Sequence, residues 1–172
     1  MPWKLIFLVL IILAVGCASA VPVNIVLPSP SNIPLTAIDL SGIGLKMMLA
    51  EGWHQAQQTA DSILWQGPLR NTGYPSLRIV FRPDYRHDLN DLAQAAARVG
   101  GVAYPTRPEP TTIAGLPASR CSGRKGIVEE NLMTIAWRSG VWTYLLVLTW
   151  DEAQDGEALA TMVNSIATLG GG

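Results

Sequence analysis

Trp142-Thr143-Tyr144-Leu145-Leu146-Val147-Leu148-Thr149-Trp150 is the stretch whose reading decides the fold. It is rich in aromatic and β-branched residues, and its apolar character is nearly continuous instead of alternating. That is the pattern of a central strand covered on both faces. Residues 128–138 read as its neighbour, with Ser139-Gly140 as the two-residue hairpin turn between them. A third strand is expected at 119–124. Beyond Trp150, Leu159, Met162, Val163, Ile166 and Leu169 recur at helical spacing, which predicts a closing helix from Glu152 or Glu157 to Leu169, stopped by Gly170-Gly171-Gly172.

The pattern extends upstream. In 77–82, Leu77, Ile79 and Phe81 fall on one face and Arg78 and Arg82 on the other, a strand with one buried side. Asp88 can cap a helix in which Leu89, Leu92, Ala96 and Val99 form the apolar stripe and which Gly100-Gly101 ends. Strands are expected at 36–40 and 44–49. Residues 53–57 and 62–66 should pair across Thr59-Ala60-Asp61, and 67–75 reads as a loop. The Pro-rich stretch 104–110 can be neither helix nor central strand. The order is several strands, a helix, three strands and a helix. The fold class is therefore α+β, an antiparallel β-sheet flanked by helices.

Glu51-Gly52-Trp53 at the end of the second strand resembles the Pro-x-Gly-Trp opening of the PsbP/Mog1-like superfamily, with Ala50 where a Pro is common. Thr112-Ile113-Ala114-Gly115-Leu116-Pro117-Ala118 resembles the segment entering its second half, and Asn164-Ser165-Ile166 its closing phrase. The resemblance covers residues 36–169. It implies an α/β/α sandwich and a largely non-enzymatic membership of photosystem accessory subunits, a nuclear-transport factor and bacterial envelope lipoproteins. It supplies no catalytic residue to carry over.

Residues 1–20 hold Lys4, an unbroken apolar run over 5–15, and then Gly16-Cys17-Ala18-Ser19-Ala20, the layout of an export signal. The run is short for a permanent membrane helix. Ala14-Val15-Gly16-Cys17 resembles a bacterial lipobox, which makes Cys17 a lipidation site, whereas Ala18-Ser19-Ala20 fits ordinary cleavage after Ala20; both readings stand. Residues 21–35, with Pro22, Pro28, Pro30 and Pro34, read as a tether. Residues 36–169 form a single domain, long enough to bury a core.

A net charge of -1 with no basic cluster argues against nucleic acid and against a polybasic membrane patch. Cys17 and Cys121 are the two cysteines, so the mature domain is no disulfide scaffold. Cys121 reads as a small buried side chain; the sharper alternative is a thiolate favoured by Arg120, Arg124 and Lys125. Asp84, His87 and Asp88 have metal-ligand chemistry, but Arg82 and Arg86 lie among them and Asp88 is explained as a helix cap, so no metal site is assigned. His54 reads as a polar strand residue, and Glu129 and Glu130 should point to opposite faces of a strand. Trp137 and Trp142 flank the hairpin turn and have two readings, sheet packing by pairing across it or an exposed anchor for a partner.

Together these readings give an exported envelope protein, lipid-anchored at the cell membrane or in the periplasm, with a soluble secreted form as the alternative. It is expected to be a non-catalytic protein-binding or accessory module, not an enzyme. The same reading expects a monomer without cofactor whose partner is an unknown envelope protein and whose membrane contact is its N-terminal lipid. A carrier of a hydrophobic small molecule is the rival reading, and an enzyme using Cys121 or the Asp84–His87–Asp88 group the third.

Overall fold

The computed structural model describes residues 22–71, 73–126 and 130–169. The expected export signal with Cys17, the expected strand start at 128, Glu129 and the terminal glycines lie outside them. Among the described residues the strands are β1 (Leu35–Leu40), β2 (Leu45–Ala50), β3 (His54–Gln58), β4 (Ser62–Gln66), β5 (Ser76–Pro83), β6 (Glu109–Ile113), β7 (Leu116–Lys125), β8 (Glu130–Ser139), β9 (Trp142–Trp150) and β10 (Ala167–Thr168). The helices are α1 (Leu89–Val99) and α2 (Ala153–Asn164), and a 3-10 turn at Ser41–Ile43 joins β1 to β2. No helix among them is long and apolar enough to cross a membrane.

A seven-stranded antiparallel sheet runs in the order β3-β4-β5-β9-β8-β7-β6, and a smaller sheet in the order β1-β2-β10. The stretch 142–150 is thus the middle strand, as its composition requires. On one face of the large sheet, Met133, Ile135, Trp137, Tyr144, Leu146, Leu148 and Trp150 join Leu77, Ile79 and Phe81 in the main core, covered by Leu159 and Met162 of α2, by Ile166 just beyond it, and by Leu45 and Met47 of β2. On the other face Cys121, Leu132 and Ala136 meet Ala93 and Ala97 of α1, with Val102 beside them. The result is helix, sheet, and helix with small sheet: an α+β sandwich.

Several expectations need correction. Ser139 pairs with Trp142, so the hairpin loop is Gly140-Val141, and Gly140 supplies the positive φ of 56° that a two-residue loop demands. Pro110 lies in β6 at the sheet's edge, which agrees with a stretch barred only from helix and central strand, because a missing N–H breaks no ladder there. α2 stops at Asn164: Ser165 Oγ donates to Met162 O and accepts from Met48 N at 2.8 Å, which turns the chain into β10 beside β2. The proline-rich residues 22–34 carry no helix or strand, but they lie against the domain. Ile25 is buried, its N–H donates to Ser122 Oγ at 3.0 Å, and Ser31 N–H donates to Thr161 Oγ1 at 3.1 Å.

The seating of α1 differs most. Asp88 caps it as expected, accepting from Asn90 and Asp91 N–H. Yet the fully buried residues are Ala93 and Ala97, while Val99 is 89% exposed. The helix is rotated so that its smallest residues touch the sheet. Thr134 Oγ1 donates to the Ala93 carbonyl at 2.8 Å, a backbone approach that larger side chains would block. A Cβ on Gly123 of β7 would lie 2.3 Å from Val102 Cγ1, just after the helix. Gly123→Ala should therefore cost about 1–3 kcal/mol by overpacking. Denaturant titration checks this, and the midpoint should fall with little change in slope.

Candidate functional site

Because α1 sits over β7 and β8 and reaches only part of β9, the same face of β4, β5 and the rest of β9 is left uncovered. Side chains of paired strands form transverse rows there. One row is Gln66, Ser76 and Thr149; the next is Leu64, Arg78 and Val147; the third is Ser62, Val80 and Leu145. Under the helix these rows continue as Leu132, Thr134 and Ala136 of β8. The open half of the sheet, walled by Leu92, Ala96 and Val99 of α1, encloses a groove of about 700 Å³. That volume is typical of small-molecule sites.

The groove is polar at one end and apolar at the other. At the polar end Ser76 and Thr149 share a hydrogen bond of 2.7 Å, and Lys125 pairs with Glu130 at 2.7 Å on the rim. Val80, Leu92 and Leu145 line the apolar end, which continues into a second depression of about 240 Å³ reaching Arg82, Tyr85 and Thr143. Arg78 projects from the middle of β5 between Leu64 and Val147, half-buried, with no hydrogen-bond or ion-pair partner among the described residues. Neighbouring cations are matched: Arg82 to Asp61 at 3.3 Å, Arg120 to Glu109 at 2.8 Å, and Arg70 bidentate to the buried Asp155.

The sequence did not mark this groove as a site. Arg78 reads there as a solvent-facing strand residue, and Leu92, Ala96 and Val99 read as core. The signal was in the excess: Leu145 and Val147 are apolar on a face that the number of available helices could not fully cover.

The residues singled out from the sequence are dispersed. Trp137 is wholly buried and stacks on Tyr144 with ring centroids 4.9 Å apart. Its cross-strand partner is Tyr144, not Trp142, because the register places Trp142 opposite Ser139. A buried indole offers no anchor to a partner, so that reading is withdrawn for Trp137. Trp142 is half-buried and meets Phe81 edge-on at 5.9 Å. Asp88 is taken up by its capping bonds, and His87 stacks on Tyr85 at 4.5 Å. Among the described residues no three His, Cys, Asp or Glu side chains gather to hold a metal. His54 lies exposed on the edge strand β3.

Cys121 points into the layer beneath α1, where its Sγ donates to Thr106 O at 3.6 Å. Burial pushes its thiol up to about 11, with Glu109 adding to the rise. The thiolate reading is overturned, since desolvation outweighs the pull of the Arg98 guanidinium. An acid whose value rises on folding stabilises the fold below its unfolded value and loses that contribution as pH climbs. The loss for Cys121 falls between pH 9.0 and about 11. Native protein at pH 8 should resist iodoacetamide at Cys121 and react at once when unfolded; rapid stoichiometric alkylation of the native chain would contradict this burial.

The sequence matches no protein-family model and no curated relative. Among solved structures the chain is similar to cyanobacterial PsbP (CyanoP) from Synechocystis sp. PCC 6803, with a TM-score of 0.58 and 10% identity over 80% of this chain and 94% of that one. It is also similar to LpqN, involved in cell envelope biogenesis of Mycobacterium tuberculosis, with a TM-score of 0.56 and 10% identity over 81% of this chain and 93% of that one. Such identities carry the fold alone, and they agree with the layers and strand order above: this chain has the PsbP/Mog1-like fold.

Proposed function

We propose that this chain is an exported, lipid-anchored envelope protein that works by binding and not by turnover, and that the half-open groove beside α1 is its binding site. One observation carries the reading: the apolar stripe Leu92-Ala96-Val99 lines an open groove, with Leu92 at the edge of the core beneath α1 and Val99 left exposed. Apolar surface left open to water favours an apolar occupant that would cover it. The groove's titratable side chains are Tyr74, Arg78, Lys125 and Glu130, the last two neutralising each other, so its chemistry is that of recognition. LpqN, which shares the fold, is described as involved in cell envelope biogenesis, and the export signal of this chain is consistent with the same compartment.

The groove's size and concavity favour carriage of a hydrophobic small molecule there. A protein partner is the second reading, and β3 favours it: every residue of this edge strand is exposed, a free ladder onto which an extended segment could add.

Native mass spectrometry of the full-length protein, isolated from its host's envelope, tests the proposal. The expected spectrum shows a covalent lipid on Cys17 and a non-covalent small molecule. Val147→Trp, which fills the groove floor, should remove the second mass and leave the first. Protein without any non-covalent adduct, or a non-covalent adduct that persists in Val147→Trp, would overturn the groove as the binding site.

A further inference from the structure

We infer that the occupant of this groove is a single-chain amphiphile with an oxyanionic headgroup, carboxylate or phosphate, seated on Arg78 with its alkyl chain over Val80, Leu92 and Leu145. The inference rests on the binding role proposed above and adds the ligand's chemistry. Its first support is the state of Arg78. Arg78 stands half-buried in the row between Leu64 and Val147, with no acceptor among the described residues, while Arg70, Arg82, Arg120 and Lys125 each hold a carboxylate. An occupant that covers Arg78 strips it of water. A neutral headgroup leaves that cost largely uncompensated, and a cation adds repulsion. An oxyanion offsets it with charge-assisted hydrogen bonds, and the planar fork of Arg fits carboxylate or phosphate in bidentate fashion.

The second support is the direction of the polarity gradient. Arg78 lies one row from the hydroxyls of Ser76 and Thr149, which can complete the headgroup's hydrogen bonds. On its other side the groove runs from Val80 and Leu145 into the depression at Tyr85. Along β9, Val147 to Thr143 spans about 13 Å at the strand rise, room for an extended alkyl chain lying lengthwise. A headgroup at the polar end and a tail at the apolar end is the orientation that satisfies both halves. A compact anion such as free phosphate would leave the apolar half unfilled.

Calorimetric titration of the full chain carrying Cys17→Ala, so that no anchor competes, tests this with three probes below their micelle concentrations: dodecanoate, dodecyl phosphate and dodecyl maltoside. Both anions should bind one to one, and at least tenfold more tightly than the maltoside. Arg78→Gln should weaken the anions about tenfold or more and leave the maltoside unchanged, and Arg78→Lys should recover part of the loss. Shortening dodecanoate by two carbons should weaken binding about tenfold. Binding of dodecyl maltoside as tight as that of dodecanoate, with no effect of Arg78→Gln, would overturn the anionic headgroup while leaving the groove as a binding site. No binding by any probe, or binding indifferent to Val147→Trp, would overturn both. Unchanged melting temperatures of the Arg78 variants show that these outcomes report on binding and not on folding.

Discussion

The contact between Thr134 and the backbone of Ala93 fixes where α1 can sit, and much else in the molecule follows from that placement. Its 2.8 Å bond draws the helix axis close over β8. Ala93, Ala97 and Gly123 make that approach sterically possible, and Val102 fills the space over Gly123. A helix seated so close and so far to one side covers β7 and β8 and leaves β4, β5 and half of β9 bare. On the opposite face α2 and the β1-β2-β10 sheet spread their apolar residues across the strands, so Leu77, Leu146 and Leu148 are sealed. The asymmetry between the two faces creates the groove, and it is built into the choice of small residues on α1.

Much of the architecture was legible in the sequence because it depends on local patterns. The continuous apolar run of 142–150 marks the central strand, the alternation in 77–82 gives the buried face of β5, and Asp88 marks the start of α1. These signals are dihedral preference, period and capping, which act over a few residues. Element ends were less legible where tertiary contacts set them. Ser165 ends α2 through Met48, more than a hundred residues away in sequence. Likewise, the prolines in 22–34 forbid regular structure, but whether such a segment floats or docks depends on Ile25 finding Ser122 and Ser31 finding Thr161.

The site was less legible for the same reason. Sequence periodicity identifies an apolar stripe but not what covers it, and the stripe on α1 was assigned to the core because burial is the common fate of such residues. Alanine carries little weight in a hydrophobic pattern, so the face that truly meets the sheet, Ala93 and Ala97, was hidden beside the larger Leu92 and Val99. Arg78 was similarly masked. On a strand with one buried side an arginine on the other side is unremarkable until the neighbours that should neutralise it prove absent. Conversely, the chemically suggestive residues of the sequence found ordinary structural roles: Cys121 in the α1 layer, Asp88 at a helix start, Trp137 against Tyr144.

The central claim is that the uncovered half of the large sheet, not the exposed edge β3 or the Trp142 end of the hairpin, is the recognition surface. Methyl and amide chemical-shift mapping on titration with dodecanoate is its most direct measurement. The account predicts saturable shifts confined to Leu64, Val80, Leu92, Val99, Leu145 and Val147 and the α1 backbone. Shifts concentrated on β3 or around Trp142, with the methyls of Val80 and Leu145 unmoved, would contradict it.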